Sequence, residues 1–377
     1  MRVVLDVSAV PTRPVGAGMY TIALAHGLSA YDGIELHLVT RRADADRWST
    51  LAPAAAVHAV VPSARPRRLA WEQLGSASIV KQVRPDVWHG PHYTLPLRAR
   101  VPTVVTVHDL TFFEHPEWHE RSKVAYFRPM IGAAARRAAV VVCVSAFTAS
   151  RLRAHVQPPG EVVVVPHGVD HGRFTPTGAG SPTDHALLAR HGIEPPYVAF
   201  AGTIEPRKDV PTLVRAFARI ATEHPELRLV IAGGDGWGAG AARTAVAESG
   251  VATRIVRPGY VDDAVFAALF RNAAAVAYPS LEEGFGLPAL EALACGTPLV
   301  TTLGSAHEEV VGDAALLVAP GDDAALAGAL RTILHDDMLA ARLRTAGIER
   351  AAGYTWERSV DAHVDAYRRA VGARVSA

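Results

Sequence analysis

The chain has 377 residues and a mass of 40.0 kDa, enough for two or three domains. Hydrophobic residues make up 49% and charged residues 20%, at a mean hydropathy of +0.14, which excludes an intrinsically disordered chain. The net charge of +1 gives no global basic excess, so nucleic acid is not an expected partner. The two cysteines, Cys143 and Cys295, sit in apolar settings, which excludes a disulfide framework. No Cys/His spacing makes a zinc site, and no apolar run reaches the ~18 residues of a membrane span. A soluble, cytoplasmic protein is expected.

The opening, MRVVLDVSAV, reads as a strand over Val3–Val7 rather than as a secretory leader. Gly16-Ala17-Gly18 then precedes a helical stretch, Met19–Leu28. Glycines there permit close backbone approach, and the free N–H groups of the helix start favour a phosphate. A tight structural turn accounts for the pair as well. Thr21 stands where the third glycine of a dinucleotide fingerprint would fall, which disfavours an NAD enzyme, and no P-loop motif occurs.

Further strands are predicted at Leu36–Thr40, Val87–His89, Val104–His108, Val140–Ser145 and Val162–Pro166. Asp44-Ala45-Asp46 spells D-x-D, a possible metal–diphosphate grip, but Arg41, Arg42 and Arg47 flank it and no strand leads into it. It reads as a solvated helix start, and no metal is assigned. His108-Asp109 falls at the end of its strand, on the carboxyl edge where ligands bind in such sheets.

Thr175–Thr183, TPTGAGSPT, has the composition of a linker. A second strand series follows at Tyr197–Gly202, Leu227–Gly233, Ile255–Val256, Ala274–Tyr278, Leu299–Thr302 and Ala315–Val318. Near-continuous apolar strands separated by helix-length segments mark parallel, doubly wound sheets. The expected architecture is α/β, with two Rossmann-like domains joined near residue 180. Charge divides unevenly: residues 1–175 carry a net +7 and the remainder −6. That split suits a first domain facing something anionic, and it also suits drift of surface charge.

Two segments of the second half carry chemistry. Thr203-Ile204-Glu205-Pro206-Arg207-Lys208 follows a strand, and its adjacent cations are suited to neutralising a diphosphate. Ser280–Val300, SLEEGFGLPALEALACGTPLV, sets Glu283 before a Gly284-Phe285-Gly286 turn, with Pro288 opening a helix and Glu291 eight residues after Glu283. Backbone N–H groups and the helix start offer positive potential to a ligand. The two carboxylates read as grips on different parts of a long polyhydroxylated ligand rather than as a hydrolase pair.

The pattern E-G-F-G-L-P-x-L-E-A-x-A-C-G-x-P resembles the signature of glycosyltransferase family 4, retaining enzymes of the GT-B fold. The resemblance extends to the Gly16 loop, VTVHDLTFFEHPEWH (Val105–His119), VVPHGVD (Val164–Asp170), GTIEPRKD (Gly202–Asp209) and GDAALLVAP (Gly312–Pro320), and is strongest to the mannosyltransferase-like branch. It implies two Rossmann-like domains whose parallel sheets face a central cleft. An acceptor domain would span 1–178 and a nucleotide-sugar domain 179–355, with a C-terminal helix over 356–377 returning to the first domain.

The same resemblance implies roles for matching residues. Glu283 would contact donor sugar hydroxyls and Glu291 the ribose, while Gly284, Phe285, Gly286 and Leu287 would hold sugar and diphosphate. Lys208 with Arg207 would stabilise the departing phosphate, with Thr203 beside them where relatives often carry arginine. Gly16 would approach the diphosphate and His108 the transferred sugar. Relatives often show Pro-Glu before the G-D-A-A motif, where this chain has Glu308-Glu309.

The expected activity is retaining transfer of a hexose from a nucleotide-diphosphate sugar, with GDP-mannose as leading donor and a UDP-sugar as the other candidate. The acceptor would be a glycan or lipid-linked. No cofactor and no metal is expected. Cations at Arg65, Arg67 and Arg68 and at Arg121, Lys123, Arg128, Arg136 and Arg137 alternate with Val124, Phe127, Met130 and Ile131, which suits either a packed helix or peripheral contact with an anionic membrane. Two rival readings remain: a sugar-nucleotide epimerase of the same fold, and a non-catalytic sugar-nucleotide or glycan-binding module.

Overall fold

Runs of Val, Ile and Leu too short for helices set the architecture, because each buries both faces only inside a layered sheet. A computed structural model describes residues 1–373. The first unit comprises Met1–Pro116, Arg121–Gly168 and the segment from Trp356; the second comprises Glu117–Glu120 and Val169–Thr355.

In unit 1 the strands are β1 (Arg2–Asp6), β2 (Glu35–Arg41), β3 (Ala56–Val61), β4 (Val87–Gly90), β5 (Thr103–Val107), β6 (Val140–Cys143) and β7 (Glu161–Val164). They form one sheet in the order β3-β2-β1-β4-β5-β6-β7, every pair parallel. β4, β5 and β6 are buried along their whole length, matching their unbroken apolar sequence. β3 was not anticipated. Its alanine-rich sequence, AVHAVV, lacks a strong period, and pairing with β2 at the sheet edge makes it a strand.

Unit 2 contains β8 (Tyr197–Ala201), β9 (Arg228–Ala232), β10 (Ile255–Gly259), β11 (Ala275–Tyr278), β12 (Leu299–Thr302) and β13 (Leu316–Val318). Their order is β10-β9-β8-β11-β12-β13, again parallel throughout. In both sheets the chain winds outward one way, then returns to the centre and winds the other. The carboxyl ends of β1/β4 and β8/β11 therefore flank the switch points where such sheets take ligands.

The first unit ends at Gly168, before the 178/179 boundary read from the Gly/Pro-rich segment. The reason lies in contacts of Val169–Thr175. Val169 N–H donates to the Tyr354 carbonyl, Phe174 packs edge-on against Phe266, and Arg271 donates to the carbonyls of Arg173 and Thr175.

The C-terminal helix Trp356–Ala373 belongs to unit 1. Val360, Val364, Tyr367 and Ala370, at i, i+4, i+7 and i+10, form its buried stripe against Tyr20, Leu24 and Leu28 of the helix Ala17–Ser29. A buried hydrogen-bond chain locks the contact. His363 Nδ1 lies 2.7 Å from the Ser359 carbonyl and must donate, so its Nε2 accepts from Tyr20 Oη at 2.8 Å. Thr106 Oγ1 then donates to Tyr20 (2.9 Å), His89 Nε2 to Thr106 (2.8 Å), and Tyr367 Oη to His89 Nδ1 (2.8 Å). This assignment keeps both histidines neutral.

The helix Arg121–Arg137 turns its apolar side inward. Ile131 is fully buried, and Val124 and Phe127 pack against the cluster of Val105, Leu110 and Val141. Val124, Phe127 and Met130 stay partly exposed beside the charge, so only Ile131 of the apolar residues singled out is fully enclosed. Asp44 is buried rather than solvated, because Arg41 Nε donates to its Oδ2 at 2.5 Å.

Candidate active site

The cations and the carboxylate singled out in the second half converge across the switch point of unit 2. After β8 the chain passes Gly202 (φ 153°) and Thr203, then makes a 3-10 turn over Pro206–Lys208. Asp209, left-handed at φ 45°, caps the helix Val210–Ile220 by accepting from Thr212 N–H. After β11 the chain runs through Ser280–Gly286 into the helix Leu287–Ala294. The two loops are tied by Leu281 N–H donating to the Arg207 carbonyl at 2.7 Å.

Glu283 is 6% exposed and both its oxygens are engaged. Lys208 Nζ donates to Oε1, and Arg207 Nη1 donates to Oε2 at 2.6 Å. Lys208 also donates to Tyr278 Oη at 2.5 Å, and Arg207 Nε to Glu205 Oε1 at 2.6 Å. Burial opposes ionisation of Glu283, but Arg207 and Lys208 outweigh it and hold the carboxyl below the usual range. Burial and the neighbouring Arg207 pull the Lys208 ammonium below its ordinary value, against the attraction of Glu283. The cluster thus holds two cations between two carboxylates, with Lys208 and Glu283 buried and Arg207 and Glu205 partly exposed.

Gly286 has φ 94°, and a side chain there would meet His307 Cδ2 at 2.5 Å. This packing places the start of the helix Leu287–Ala294 against His307. Thr301 Oγ1 donates its proton to the Tyr278 carbonyl (2.8 Å), so His307 Nδ1 must donate to Thr301 (2.7 Å). His307 Nε2 remains a buried acceptor with no partner. Burial lowers its pKa to about 4, so it stays neutral. Phe285 is buried and its ring lies 6.0 Å from that of Tyr354.

Glu291, one further turn along the same helix from Leu287, responds to Arg173 and Asp263. Burial raises its pKa to about 7. In unit 1, Gly16 is exposed with φ 47° and caps the helix Ala17–Ser29, where Gly18 N–H donates to the Val15 carbonyl at 2.9 Å. His108 is 8% exposed and donates from Nε2 to the Pro91 carbonyl at 2.8 Å; burial lowers its pKa. Near the G-D-A-A motif, Ser305 caps the helix Ala306–Val311 and Glu308 accepts from Gly304 N–H.

The sequence reading missed Tyr278, His307 and Glu205. Tyr278 closes β11 and His307 follows β12, so the same carboxyl-edge rule applied to every central strand would have found both. Among the described residues, Glu223, His224 and His335 could hold a metal, but both Glu223 oxygens accept from Arg331 at 2.7 Å. Glu223 and His224 precede β9, on the edge opposite the switch-point ligand edge.

Two doubly wound parallel sheets, each with its own switch point, are the components of the GT-B fold. Residues 188–350 match the Glycosyl transferases group 1 family and residues 14–173 match Glycosyltransferase Family 4. The O-antigen chain mannosyltransferase B of Escherichia coli is 30% identical over 308 residues, 80% of this chain and 77% of that protein. Sucrose-phosphate synthase from Thermosynechococcus elongatus shares the fold with a TM-score of 0.78 at 23% identity, covering 98% of each chain. Anabaena HepE, solved with UDP-glucose, gives 0.76 at 21% identity over 97% of this chain and 98% of its own. The chain belongs to the group 1, family 4 glycosyltransferases.

Proposed function

We propose that the protein transfers a hexose with retention from a nucleotide-diphosphate sugar, mannose from GDP-mannose being the leading donor, to a glycan or lipid-linked acceptor. The observation that carries this reading is the Arg207–Lys208–Glu283 cluster at the carboxyl ends of adjacent strands β8 and β11. A diphosphate entering there draws Arg207 and Lys208 toward its oxygens, and Glu283 turns its lone pairs to sugar hydroxyls. As the bond from the anomeric carbon to phosphate oxygen breaks, its electron pair goes to the phosphate. The acceptor hydroxyl attacks the same face, and its proton passes to the departing phosphate. The two cations answer the growing charge, so no metal is required.

Similarity to a mannosyltransferase supports mannose, and the UDP-glucose bound by HepE keeps a UDP-sugar as the second donor. Unit 2 would take the donor and unit 1 the acceptor. Arg67, Arg121, Arg128 and Arg136 are exposed, which supports peripheral contact with an anionic membrane. No helix among the described residues is long and apolar enough to cross one.

The test is turnover of GDP-mannose, UDP-glucose and UDP-mannose in excess EDTA, with and without a glycan acceptor mixture. Transfer with the anomeric configuration kept supports the reading. A changed sugar from donor alone would make the protein an epimerase, and binding without turnover a sugar-nucleotide module. Failure to float with phosphatidylglycerol vesicles at low salt would remove the membrane contact.

A further inference from the structure

The switch point of unit 1 holds a cavity of about 300 Å³. Its floor is Asp6 at the end of β1 and the segment from Gly90 to Thr94 after β4. One wall is the helix Arg65–Leu74, which presents Arg65, Arg68, Leu69 and Glu72 at i, i+3, i+4 and i+7. Tyr93, Phe112 and Phe127 supply flat apolar surface opposite.

Two observations show that the polar groups here are not closed on one another. Glu72 is 7% exposed; its Oε2 accepts from Thr94 Oγ1 at 3.0 Å, while Oε1 is buried with no partner. Arg68 feels the fields of Asp6 and Glu72, yet no ion pair joins it to either among the described residues. A buried carboxyl oxygen without a partner costs on the order of 1–3 kcal/mol. A guanidinium and two carboxyl groups around an open volume leave room for a ligand between them.

Burial and the nearby Asp6 raise the Glu72 pKa to about 8, so at neutral pH the carboxyl is protonated. With Oε2 accepting from Thr94 and Oε1 enclosed, the carboxyl lines the cavity without a negative charge. Arg65, Arg68 and Lys123 then line the cavity with a single further acid, Asp6, whose own pKa burial raises, and an anion restores balance. Resting on the transferase reading above, we propose that this cavity is the acceptor subsite and that it selects a sugar bearing an anionic group, a phosphate or a carboxylate. The anion meets Arg65 and Arg68 beside the uncharged Glu72 carboxyl; the ring lies on Tyr93 and Phe127, and its hydroxyls donate to Asp6.

Above pH 8 Glu72 ionises and repels the anion. The other groups facing Glu72 are Asp6 on β1, Arg65 and Arg68 on its own helix, His92 after β4, and Lys123 and Tyr126 on the helix Arg121–Arg137. Burial holds His92 at about 3 and Tyr126 at about 12, so neither titrates between pH 7 and 9.

The test titrates the full chain with mannose 6-phosphate, glucuronate, mannose and inorganic phosphate at pH 7 and 9, and with GDP in parallel. At least one charged sugar should bind tenfold or more tighter than mannose at pH 7, and which one does so tells phosphate from carboxylate. Arg68→Gln should cost tenfold or more while GDP affinity stays unchanged. Wild-type affinity should fall at least threefold at pH 9, and Glu72→Gln should abolish that fall. Charged sugars binding no better than mannose, or inorganic phosphate binding as tightly as they do, would overturn the proposal. Loss of GDP binding in the wild type would count against the donor reading instead.

Discussion

Lys208 shows how one side chain serves both folding and chemistry. Its ammonium is buried, bonded to Glu283 and Tyr278, and 4.8 Å from the Tyr278 ring centroid. Removing it leaves Glu283 Oε1 without its donor while Arg207 still holds Oε2, which costs on the order of 1–3 kcal/mol of stability, so the variant must be assayed below its own Tm. Lys208→Ala should lower kcat by about 10²–10³-fold with a smaller change in KM, because the phosphate charge it answers grows toward the transition state. An unchanged kcat with a raised KM would assign it to ground-state binding alone. At the same scale, Glu291 with a pKa of about 7 gains its charge between pH 6 and 8. If it accepts from a ribose, nucleotide affinity should rise over that window in wild type more than in Glu291→Gln. Parallel pH curves for the two proteins would remove Glu291 from the nucleotide site.

Elements set these residues in place, and glycine decides how tightly. Gly286 sits in a left-handed turn, and its missing side chain admits the His307 ring. Gly286→Ala adds both a backbone penalty of about 1 kcal/mol and a clash, with a displaced helix start as the result. Activity should drop more than tenfold and Tm by several degrees. A variant of wild-type Tm and rate would show that the loop has slack. The strand-to-helix segment 280–300 was legible in sequence because each residue type there answers a local demand: glycine for positive φ, proline for the first helical turn, apolar residues for the sheet. That His307 meets Gly286 was not legible, since it depends on β12 lying beside β11.

Across unit 1, buried histidines join distant parts of the chain. His89, His363, His108, His167 and His92 are all held neutral by burial, His363 at about 4 and His92 at about 3. The unfolded chain takes up protons on them below pH ~6.5 while the folded chain does not, so stability is full above that value and falls as pH falls. At pH 5, His92 and His363 each withdraw about 2 kcal/mol. Urea unfolding followed by circular dichroism should show the midpoint dropping steeply from pH 7 to 5. An equal midpoint at both values would mean that these imidazoles reach water.

Every strand but β3, the parallel class, the presence of two units and the placing of charge at Arg207, Lys208 and Glu283 in loops follow from local sequence, because apolar runs, turn residues and loop charges act over a few residues. Which of these meet was decided only by tertiary structure. Lys208 and Glu283 are 75 positions apart and touch because β11 docks beside β8, skipping β9 and β10. Asp6 and Glu72 come to one cavity because β1 lies beside β4, with the helix Arg65–Leu74 on the crossover between. Strand order is chosen by the fit of whole layers and the right-handed crossover, and no short stretch of residues encodes that fit.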